Sequence, residues 1–287
     1  MVSPPLLAWL EHWQRQGVSP LPRAFAIRRV GQVSSTNSLL WKQFPQPTTP
    51  SQPVPVIIAQ SQSQGRGQWG RQWNSAPGGL YLSTGLPPLS VPAGALMVAC
   101  AWGIAAALRQ FNLPICLKWP NDLVIGTQKL GGMLVETRLS GTQVRRALLG
   151  VGINWHNQPP DNGIAIADLS DAHPQIRTSQ DTLVAAVLSG IAIGCGRLQV
   201  QGAVAIPPAY GELMTHRGQS IPFDYRGKRC LGQIEGIAPT GQLRMRLNAP
   251  HPKGHRDNLS AIVTVDVGQV NLSYESATAV GPPPRDR

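Results

Sequence analysis

The chain has 287 residues and an apolar content of 42%, which is ample for a hydrophobic core. Long exposed helices are not expected, because only 14% of the residues are charged and the chain contains 30 glycines and 27 prolines. The formal net charge is +11 and no acidic residue occurs between Glu11 and Asp122, so we expect a positive field that attracts an anionic ligand or an acidic partner. The four cysteines form no C-x-x-C pair and a signal peptide is lacking, which predicts free thiols and a cytoplasmic location.

The N-terminal part predicts an amphipathic helix followed by alternating strands and helices. Apolar residues recur at helical spacing from Leu6 to Trp13, and Gly17 ends that helix. The elements that follow are a strand at 25–30, a short helix at 38–44 capped from within 34–37, an apolar strand at 54–59, a strand at 80–84 and a long helix at 91–112. The uncharged run at 91–108 has the length of a membrane span, but its alanines, glycines and proline indicate a buried core helix.

The stretch Gln62–Trp73, Q-S-Q-G-R-G-Q-W-G-R-Q-W, has the composition of an anion-binding loop, and we call it the glycine-rich loop. Its glycines allow close approach of the backbone, its arginines offer forked donors, and its tryptophans can stack on a flat base. Gly65–Gly70 also match G-x-G-x-x-G, but a dinucleotide fingerprint needs a helix next and an acidic residue ~20 positions on. Pro77 breaks any helix here and no Walker A lysine follows, so both nucleotide fingerprints are disfavoured.

The rest of the chain predicts antiparallel strands, two helices and a small β-barrel. Strands are expected at 115–119, 123–125, 130–139 and 144–153. Asp181 begins a helix, and another follows at about 202–215. Short strands joined by glycine turns are expected at 220–225, 230–237, 243–247 and 261–267, and they predict a barrel of about 55 residues.

Three further motifs follow the glycine-rich loop. In K-W-P-N-D (118–122), Pro120 and Asn121 make a tight turn between a lysine and an acid, although a plain hairpin turn is an alternative. In K-L-G-G-M-L-V-E (129–136), two glycines interrupt a strand as if a ligand or another backbone approaches closely. In L-G-V-G-I-N (149–154), the alternate glycines share one face of a strand and leave room for a slim apolar ligand.

Two lysines, two arginines and very few acids in these motifs indicate a site that brings two anions into contact. When a carboxylate attacks an α-phosphate, Lys and Arg neutralise the repulsion, which is electrostatic catalysis rather than the work of a nucleophile. The chain has no H-E-x-x-H or G-x-S-x-G motif, and its six histidines are scattered. We expect His251 and His255 to be solvated in a loop rather than bound to a metal, and we leave any metal ligands unassigned.

These motifs, in this order and spacing, resemble the biotin–protein ligase family, whose members attach biotin to carboxylases. The resemblance includes S-S-T-N at 34–37 and covers about residues 25–270. It implies an α+β fold, with a mixed or antiparallel sheet flanked by helices of the class II synthetase-like biotinyl/lipoyl ligase type and a small SH3-like C-terminal barrel. The implied organisation is an N-terminal helix and linker at 1–22, a catalytic biotin- and ATP-binding domain at 23–216, the barrel at 217–272 and a disordered tail at 273–287.

The resemblance also implies roles for individual residues. The biotin-binding set would be Ser35, Thr36, Asn37, Gln62, Gly65, Arg66, Gly67, Lys129, Gly132, Leu134, Gly150 and Gly152. The ATP- and adenylate-binding set would be Arg66, Gln68, Arg71, Trp73, Lys118, Asn121 and Asn154. The catalytic residues would be Arg66, Lys118 and Lys129, with Asp122 as a candidate for helping to accept the proton of the acceptor lysine.

The implied reaction activates biotin with ATP and Mg²⁺ to biotinyl-5′-AMP and then transfers biotin to a lysine of the biotin carboxyl carrier protein of acetyl-CoA carboxylase. Several family members dimerise through the catalytic sheet, but no residue here decides whether this chain forms a homodimer. We expect neither a DNA nor a membrane partner. Two alternatives remain open: a lipoate or octanoate ligase of the same fold, which usually carries an R-R-x-x-G-G-G stretch that is absent here, and a non-catalytic nucleic-acid-binding regulator.

Two features depart from the pattern of the family. Its loop commonly continues G-R-G-R, whereas the fourth position here is Gln68, so we expect one cationic contact to the adenylate to be missing, unless Arg71 substitutes for it. Members that also repress the biotin operon carry a DNA-binding domain of roughly 60 residues or more at the N-terminus. Only 34 residues precede Ser35, which predicts a ligase without a repressor role.

Overall fold

The computed structural model describes residues 4–18, 24–44, 52–140, 143–172, 179–247 and 261–274. Within them, a seven-stranded mixed sheet is flanked by helices, and a separate four-stranded antiparallel sheet follows toward the C-terminus. The predicted α+β class with a mixed sheet is confirmed. The loop that carries His251 and His255 lies outside the described residues.

The secondary-structure elements are numbered in chain order. The described helices are α1 (Pro4–Arg15), α2 (Thr36–Gln43), α3 (Ala93–Arg109), α4 (Ile166–Ala172), α5 (Gln180–Gln201) and α6 (Ile206–Leu213). The strands of the large sheet are β1 (Phe25–Val33), β2 (Val54–Gln62), β3 (Leu80–Leu86), β4 (Cys116–Lys118), β5 (Asp122–Ile125), β6 (Gln128–Ser140) and β7 (Gln143–Ile153). The strands of the small sheet are β8 (Ser220–Tyr225), β9 (Lys228–Ile237), β10 (Leu243–Leu247) and β11 (Ile262–Val265).

The large sheet has the strand order β1-β2-β3-β7-β6-β5-β4. Antiparallel neighbours run from β2 to β4, as predicted from the hairpin pattern of the sequence. The exception is the edge pair β1 and β2, which is parallel. A parallel pair needs a crossover connection, and α2 lies in that connection. The helix α4 was not predicted, since the sequence indicated no helix between the strand at 144–153 and the helix that begins near Asp181.

The start of α2 sets the position of the S-S-T-N motif. The Ser35 side chain accepts a hydrogen bond from the Ser38 backbone N–H, so the helix begins at Thr36, two residues earlier than predicted. On the buried side of α2, Leu40 packs with Ile57 and Leu148 of the sheet. This packing holds the N-terminus of α2 against the sheet.

The core of the molecule is built around α3 and α5. A Cβ atom added to Gly103 would lie 2.0 Å from the Gly190 carbonyl oxygen, and one added to Gly194 would lie 2.3 Å from the Ala99 oxygen. The small residues therefore let the two helix backbones approach closely. The prediction of a buried core helix at 91–112 is confirmed by α3. By length and composition α5 could cross a membrane, but it packs on α3 and most of its apolar stretch is buried.

The small sheet is open in the described part of the chain, with the order β11-β10-β9-β8, so the predicted closed barrel is not observed there. Its turn around Gly241 meets the start of α3, since a Cβ atom on Gly241 would lie 2.3 Å from the Gly94 carbonyl carbon. The Trp119 indole N–H also donates to the Gly241 carbonyl at 2.8 Å. These contacts set the small sheet beside the K-W-P-N-D turn.

Candidate functional site

A cavity of about 410 Å³ lies between the large sheet and the small sheet. Its wall combines residues 35–37 at the start of α2, residues 66–73 of the glycine-rich loop and the turn at 118–122. Further wall residues come from the middle of β6 and β7. The segment 267–272, which follows β11, closes one side. Five motifs from different parts of the sequence therefore meet at one cavity.

A network of polar side chains forms one end of this cavity. The Thr36 backbone N–H and hydroxyl lie 2.8 and 3.1 Å from Gln62 Oε1, and Gln62 Nε2 donates to Ser75 Oγ at 2.8 Å. Ser83 Oγ lies 2.7 Å from Thr36 Oγ1 and 2.5 Å from Asn37 Oδ1. The Asn37 Nδ2 group is buried and has no hydrogen-bond partner among the described residues. The network therefore fixes several polar groups and leaves one donor for a ligand.

The glycine-rich loop folds back on itself as an irregular hairpin rather than opening a helix. Gly67 N–H donates to the Arg71 oxygen at 2.7 Å, and Trp73 N–H donates to the Gly65 oxygen at 2.9 Å. A Cβ atom on Gly65 would lie 2.4 Å from the Trp73 oxygen, so this hairpin needs glycine there. Only a short 3₁₀ turn, Gln68–Gly70, lies inside it. The geometry agrees with the rejection of a dinucleotide fingerprint.

Glu136, the last residue of the K-L-G-G-M-L-V-E motif, ties the loop to the sheet. Its Oε1 lies 2.7 Å from Arg66 Nη2, and its Oε2 accepts from the Trp41 indole N–H at 2.7 Å. The Trp41 ring is in turn flanked by the guanidinium groups of Arg138 and Arg146 at 4.4 and 4.7 Å. The Arg66 side chain is therefore held at the cavity rim by a carboxylate that is itself fixed.

The charged centre of the cavity is Asp122, which is only 7% exposed. Its Oδ1 lies 2.6 Å from Lys129 Nζ, its Oδ2 lies 3.6 Å from Lys118 Nζ, and the Tyr274 hydroxyl donates to Oδ2 at 2.5 Å. Ser273 and Tyr274 belong to the predicted tail at 273–287; both make hydrogen bonds, so the expected disorder does not extend to them. From residue 275 onward that tail lies outside the described residues.

The two lysines of the centre have different surroundings. Burial lowers the pKa of Lys118 from its ordinary value of 10.5, and the nearby Lys129 and Arg71 act in the same direction, while Asp122 opposes the shift. Lys118 Nζ also lies 4.2 Å from the centre of the Tyr274 ring. Lys129 Nζ lies 5.3 Å from the centre of a Trp73 ring. Both ammonium groups thus border the cavity with few water contacts.

The sequence suggested that the face of β7 that carries Gly150 and Gly152 is bare. In the structure this face is covered by other side chains. A Cβ atom on Gly150 would lie 2.6 Å from Asn37 Oδ1, and one on Gly152 would lie 2.4 Å from Trp73 Nε1. The glycines make room for these two side chains of the protein itself. The Trp73 indole N–H is buried without a partner among the described residues, so it is a second donor available to a ligand.

Most of the predicted site residues line the cavity, and two do not. The lining residues among them are Ser35, Thr36, Asn37, Gln62, Arg66, Gly67, Gln68, Arg71, Trp73, Lys118, Asn121, Asp122, Lys129, Gly132, Leu134, Gly150 and Gly152. Gly65 is a paired residue of the hairpin, where its carbonyl accepts from the Trp73 N–H, and it is not a wall residue. Asn154 is 2% exposed, and its side chain bonds to the Lys129 oxygen at 3.3 Å and accepts from Asn157 Nδ2 at 3.0 Å. The geometry gives Asn154 a structural contact rather than a place on the wall.

Sequence reasoning missed several wall residues. They are Trp69, Gln72, Trp119, Pro120, Met133, Val151, Val267, Gly268, Val270, Asn271 and Leu272. Trp119 and Pro120 belong to a motif that was recognised, but the segment after β11 carries no motif. Alternation of Val270 and Leu272 is a weak signal for a partly buried edge, and nothing in the sequence links it to the turn at 118–122.

The donor set does not form a protein metal site. Within the described ranges, no group of three or more His, Cys, Asp or Glu side chains is arranged to hold a metal ion. The acidic side chain that lines the cavity, Asp122, is paired with two lysines. A magnesium ion in this cavity would therefore need oxygen ligands from a bound phosphate compound.

The comparisons with known proteins agree with this geometry. Residues 30–154 match the model of the biotin/lipoate A/B protein ligase family. The bifunctional ligase/repressor BirA of Bacillus subtilis is 32% identical over 127 residues, which are 42% of this chain and 38% of that protein, so the match spans well under half of the relative. The biotin–acetyl-CoA-carboxylase ligase of Paracoccus denitrificans is 26% identical over 203 residues, which are 66% of this chain and 83% of the relative.

The fold has close counterparts among solved structures. The biotin protein ligase from Aquifex aeolicus in complex with biotin and ATP superposes with a TM-score of 0.67 at 21% identity. The superposition covers 85% of this chain and 96% of that one. At this identity the likeness establishes the fold.

Proposed function

Because residues 30–154 match the model of the biotin/lipoate A/B protein ligase family, we propose that the chain is a biotin–protein ligase. It activates biotin with ATP and transfers it to a lysine of the biotin carboxyl carrier protein of acetyl-CoA carboxylase. The observation that carries the proposal is the meeting of the S-S-T-N motif, Gln62, the glycine-rich loop and two lysines around one cavity of about 410 Å³. That volume is in the usual range for a small-molecule site.

The polar end of the cavity suits the ureido ring of biotin. A cyclic urea presents one carbonyl acceptor and two N–H donors, and the network of Ser35, Thr36, Asn37 and Gln62 offers both kinds of partner. The unpaired Asn37 Nδ2 would donate to a carbonyl oxygen. The dithiolane ring of lipoate or the alkyl end of octanoate would leave the buried Asn37 Nδ2 without a partner, which disfavours the alternative ligase.

The cationic side of the cavity suits the first reaction step. An oxygen of the biotin carboxylate attacks the α-phosphorus of ATP, the new O–P bond forms, and the bond to the β-phosphate oxygen breaks with release of pyrophosphate. Arg66, Lys118 and Lys129 would offset the repulsion between the two anions. Mg²⁺ would arrive with ATP, since the phosphates would supply its oxygen ligands.

The second step forms an amide bond. The amine of the acceptor lysine attacks the carbonyl carbon of biotinyl-5′-AMP, the C–N bond forms, the C–O bond to phosphate breaks, and AMP leaves. The attacking amine must first lose a proton, because the reference pKa of lysine is about 10.4. Asp122 is our candidate for helping to accept it. The glycine-rich loop, with Trp73 beside the cavity, would keep water from the mixed anhydride.

We propose the same domain organisation as the sequence suggested, with a catalytic domain at 23–216 and a small domain at 217–272. The open small sheet would be part of an SH3-like barrel. Its support is the bridge between Phe223 and Val270, which brings the chain after β11 back to β8. We also propose a cytoplasmic location, where ATP and the acceptor protein would be available.

One experiment tests the function directly. The protein is incubated with Mg·ATP and, separately, with biotin, lipoate or octanoate, and pyrophosphate release is measured. Of the three acids, we expect only biotin to trigger pyrophosphate release. In Lys118→Ala or Arg66→Ala the rate of this release should fall at least about a hundredfold, since each substitution removes a charged contact to the transition state. Release with lipoate or octanoate would favour the alternative ligase. DNA binding that weakens with salt, without any turnover, would favour the regulator.

A further inference from the structure

The C-terminal segment, residues 267–274, runs along the cavity wall and contacts the charged centre through Tyr274. The segment is anchored on both sides of the junction between the sheets. The Asp224 backbone N–H donates to the Gln269 oxygen at 2.7 Å, and the buried His216 ring lies 2.9 Å from the Ser273 oxygen through Nε2. Leu272 is buried in the core. The backbone that leads up to Tyr274 is therefore held in place, which gives the Tyr274 side chain a defined direction.

Two contacts connect Tyr274 with the charged centre. Its hydroxyl donates to Asp122 Oδ2 at 2.5 Å, on the oxygen that faces Lys118. Its ring lies 4.2 Å from Lys118 Nζ. The other Asp122 oxygen, Oδ1, is left to Lys129 at 2.6 Å. The phenol thus occupies a lone pair of the carboxylate oxygen that also faces Lys118, and the other oxygen remains for Lys129.

The phenol stays protonated under working conditions. Burial is the main reason that the pKa of Tyr274 is raised above its ordinary value of 10.0, and the neighbouring Asp122 carboxylate adds to the rise. The hydroxyl therefore acts as a hydrogen-bond donor to the carboxylate and does not itself exchange a proton. A charge-assisted bond of this kind is stronger than one between neutral groups.

We propose that Tyr274 is a positioning residue of the cavity: its hydroxyl orients the Asp122 carboxylate, and its ring covers one side of the Lys118 ammonium. The chain directly after the small C-terminal domain thereby completes the catalytic centre of the large domain. The kinetic part of the test rests on the proposed ligase function, whereas the chemical part does not.

The chemical test measures how accessible Lys118 is to a reagent. Lysines are acetylated with trace acetic anhydride over a range of pH, and the rate at each lysine is read by peptide mass spectrometry. At alkaline pH each amine is neutral, and its acetylation rate reaches a plateau. The height of this plateau reports how accessible the amine is to the reagent. Exposed Lys42 and Lys228 serve as internal references.

Removal of the ring should open a close-packed contact to the reagent. We expect the Lys118 plateau to rise about fivefold relative to the references in Tyr274→Ala, and to stay within about twofold of the parent in Tyr274→Phe, which keeps the ring. An unchanged plateau in Tyr274→Ala would overturn the covering role. If Tyr274→Ala fails to fold, Tyr274→Phe still decides the role of the hydroxyl.

The kinetic test uses Tyr274→Phe, with Tyr225→Phe as the matched control, because the Tyr225 ring contacts Phe223 and Arg226 rather than the charged centre. Loss of a hydrogen bond to a carboxylate should lower kcat for biotin-dependent pyrophosphate release about tenfold, while KM for biotin stays within about twofold. A purely structural role would lower the melting temperature without this split. Parent-like kcat in Tyr274→Phe would overturn the orienting role. Absence of turnover in the parent protein would instead refute the proposed function, and the acetylation result would still stand.

Discussion

At the scale of single residues, the cavity is defined by an excess of positive charge around one carboxylate. Arg66, Arg71, Lys118 and Lys129 all line it, and Asp122 is the acidic side chain among the described residues of the wall. Arg66 is paired with Glu136, which lies outside the wall, so Asp122 and Glu136 together offset two of the four cations. The remaining charge is suited to a substrate that brings several negative charges, such as a nucleoside triphosphate.

Lys118 should give the reaction an alkaline limit. Its pKa is lowered by burial, so the ammonium is lost as pH rises through a value below the ordinary 10.5, and phosphate stabilisation is lost with it. In Lys118→Arg the guanidinium stays protonated, because its pKa is above about 12. Near neutral pH we expect this variant to release pyrophosphate up to about tenfold more slowly, since the planar guanidinium does not have the geometry of an ammonium group. Its rate should not fall at alkaline pH. A pH profile of pyrophosphate release checks this, and an identical alkaline limb in both proteins would contradict it.

Gln68 is the residue at which the glycine-rich loop departs from the family pattern. It lines the cavity without a charge, so Gln68→Arg would add a charge-assisted contact to the adenylate phosphate. We expect the variant to release free biotinyl-5′-AMP about tenfold more slowly in the absence of acceptor protein. Gln60→Arg, at an exposed position of β2, makes the same charge change and should leave release unaltered. The prediction fails if Gln68→Arg releases the intermediate at the parent rate or faster.

The site was predictable from the sequence wherever the chemistry is carried by a compact motif. K-W-P-N-D places Lys118 and Asp122 four residues apart on a tight turn, and the structure brings them together as expected. Tyr274 could not be found in this way, because 152 residues separate it from Asp122 and tertiary packing alone joins them. Asn154 was assigned to the nucleotide, yet it is buried by local hydrogen bonds that composition does not reveal.

At the scale of elements, the α3–α5 contact determines how tightly the core packs. In Gly103→Ala the new methyl group would lie 2.0 Å from the Gly190 oxygen, so the helices must separate. We expect the free energy of unfolding to fall by about 1–3 kcal/mol, as in other overpacked cores. Gly211→Ala in α6 is the control, because its Cβ atom would meet the flexible end of Arg217 at 3.4 Å. Urea denaturation measures both, and an equal effect of the two substitutions would contradict the tight contact.

The periodicity of the sequence predicted the strands more accurately than it predicted how the strands pair. The alternation from 115 to 153 predicted the antiparallel strands β4 to β7 within a few residues. The parallel edge pair β1 and β2 could not be predicted, because pairing direction depends on where α2 packs. The strand pattern also could not predict whether the small sheet closes into a barrel, because this depends on how the segment around Val270 returns to β8.

At the scale of the whole molecule, the small sheet meets the start of α3 where Gly241 contacts Gly94. Gly241 has a φ of +90° and its Cβ atom would lie 2.3 Å from the Gly94 carbon, whereas Gly227, with a φ of +73°, has no atom within 4 Å of its Cβ position. Alanine at either position carries a similar backbone penalty of about 1–2 kcal/mol, so the difference between the variants reports the junction alone. We expect Gly241→Ala to lower the free energy of unfolding by about 1–3 kcal/mol more than Gly227→Ala. It should also slow pyrophosphate release, because Trp119, which donates to the Gly241 oxygen, lines the cavity beside Lys118. Equal stability and turnover in the two variants would mean that the junction does not support the catalytic centre.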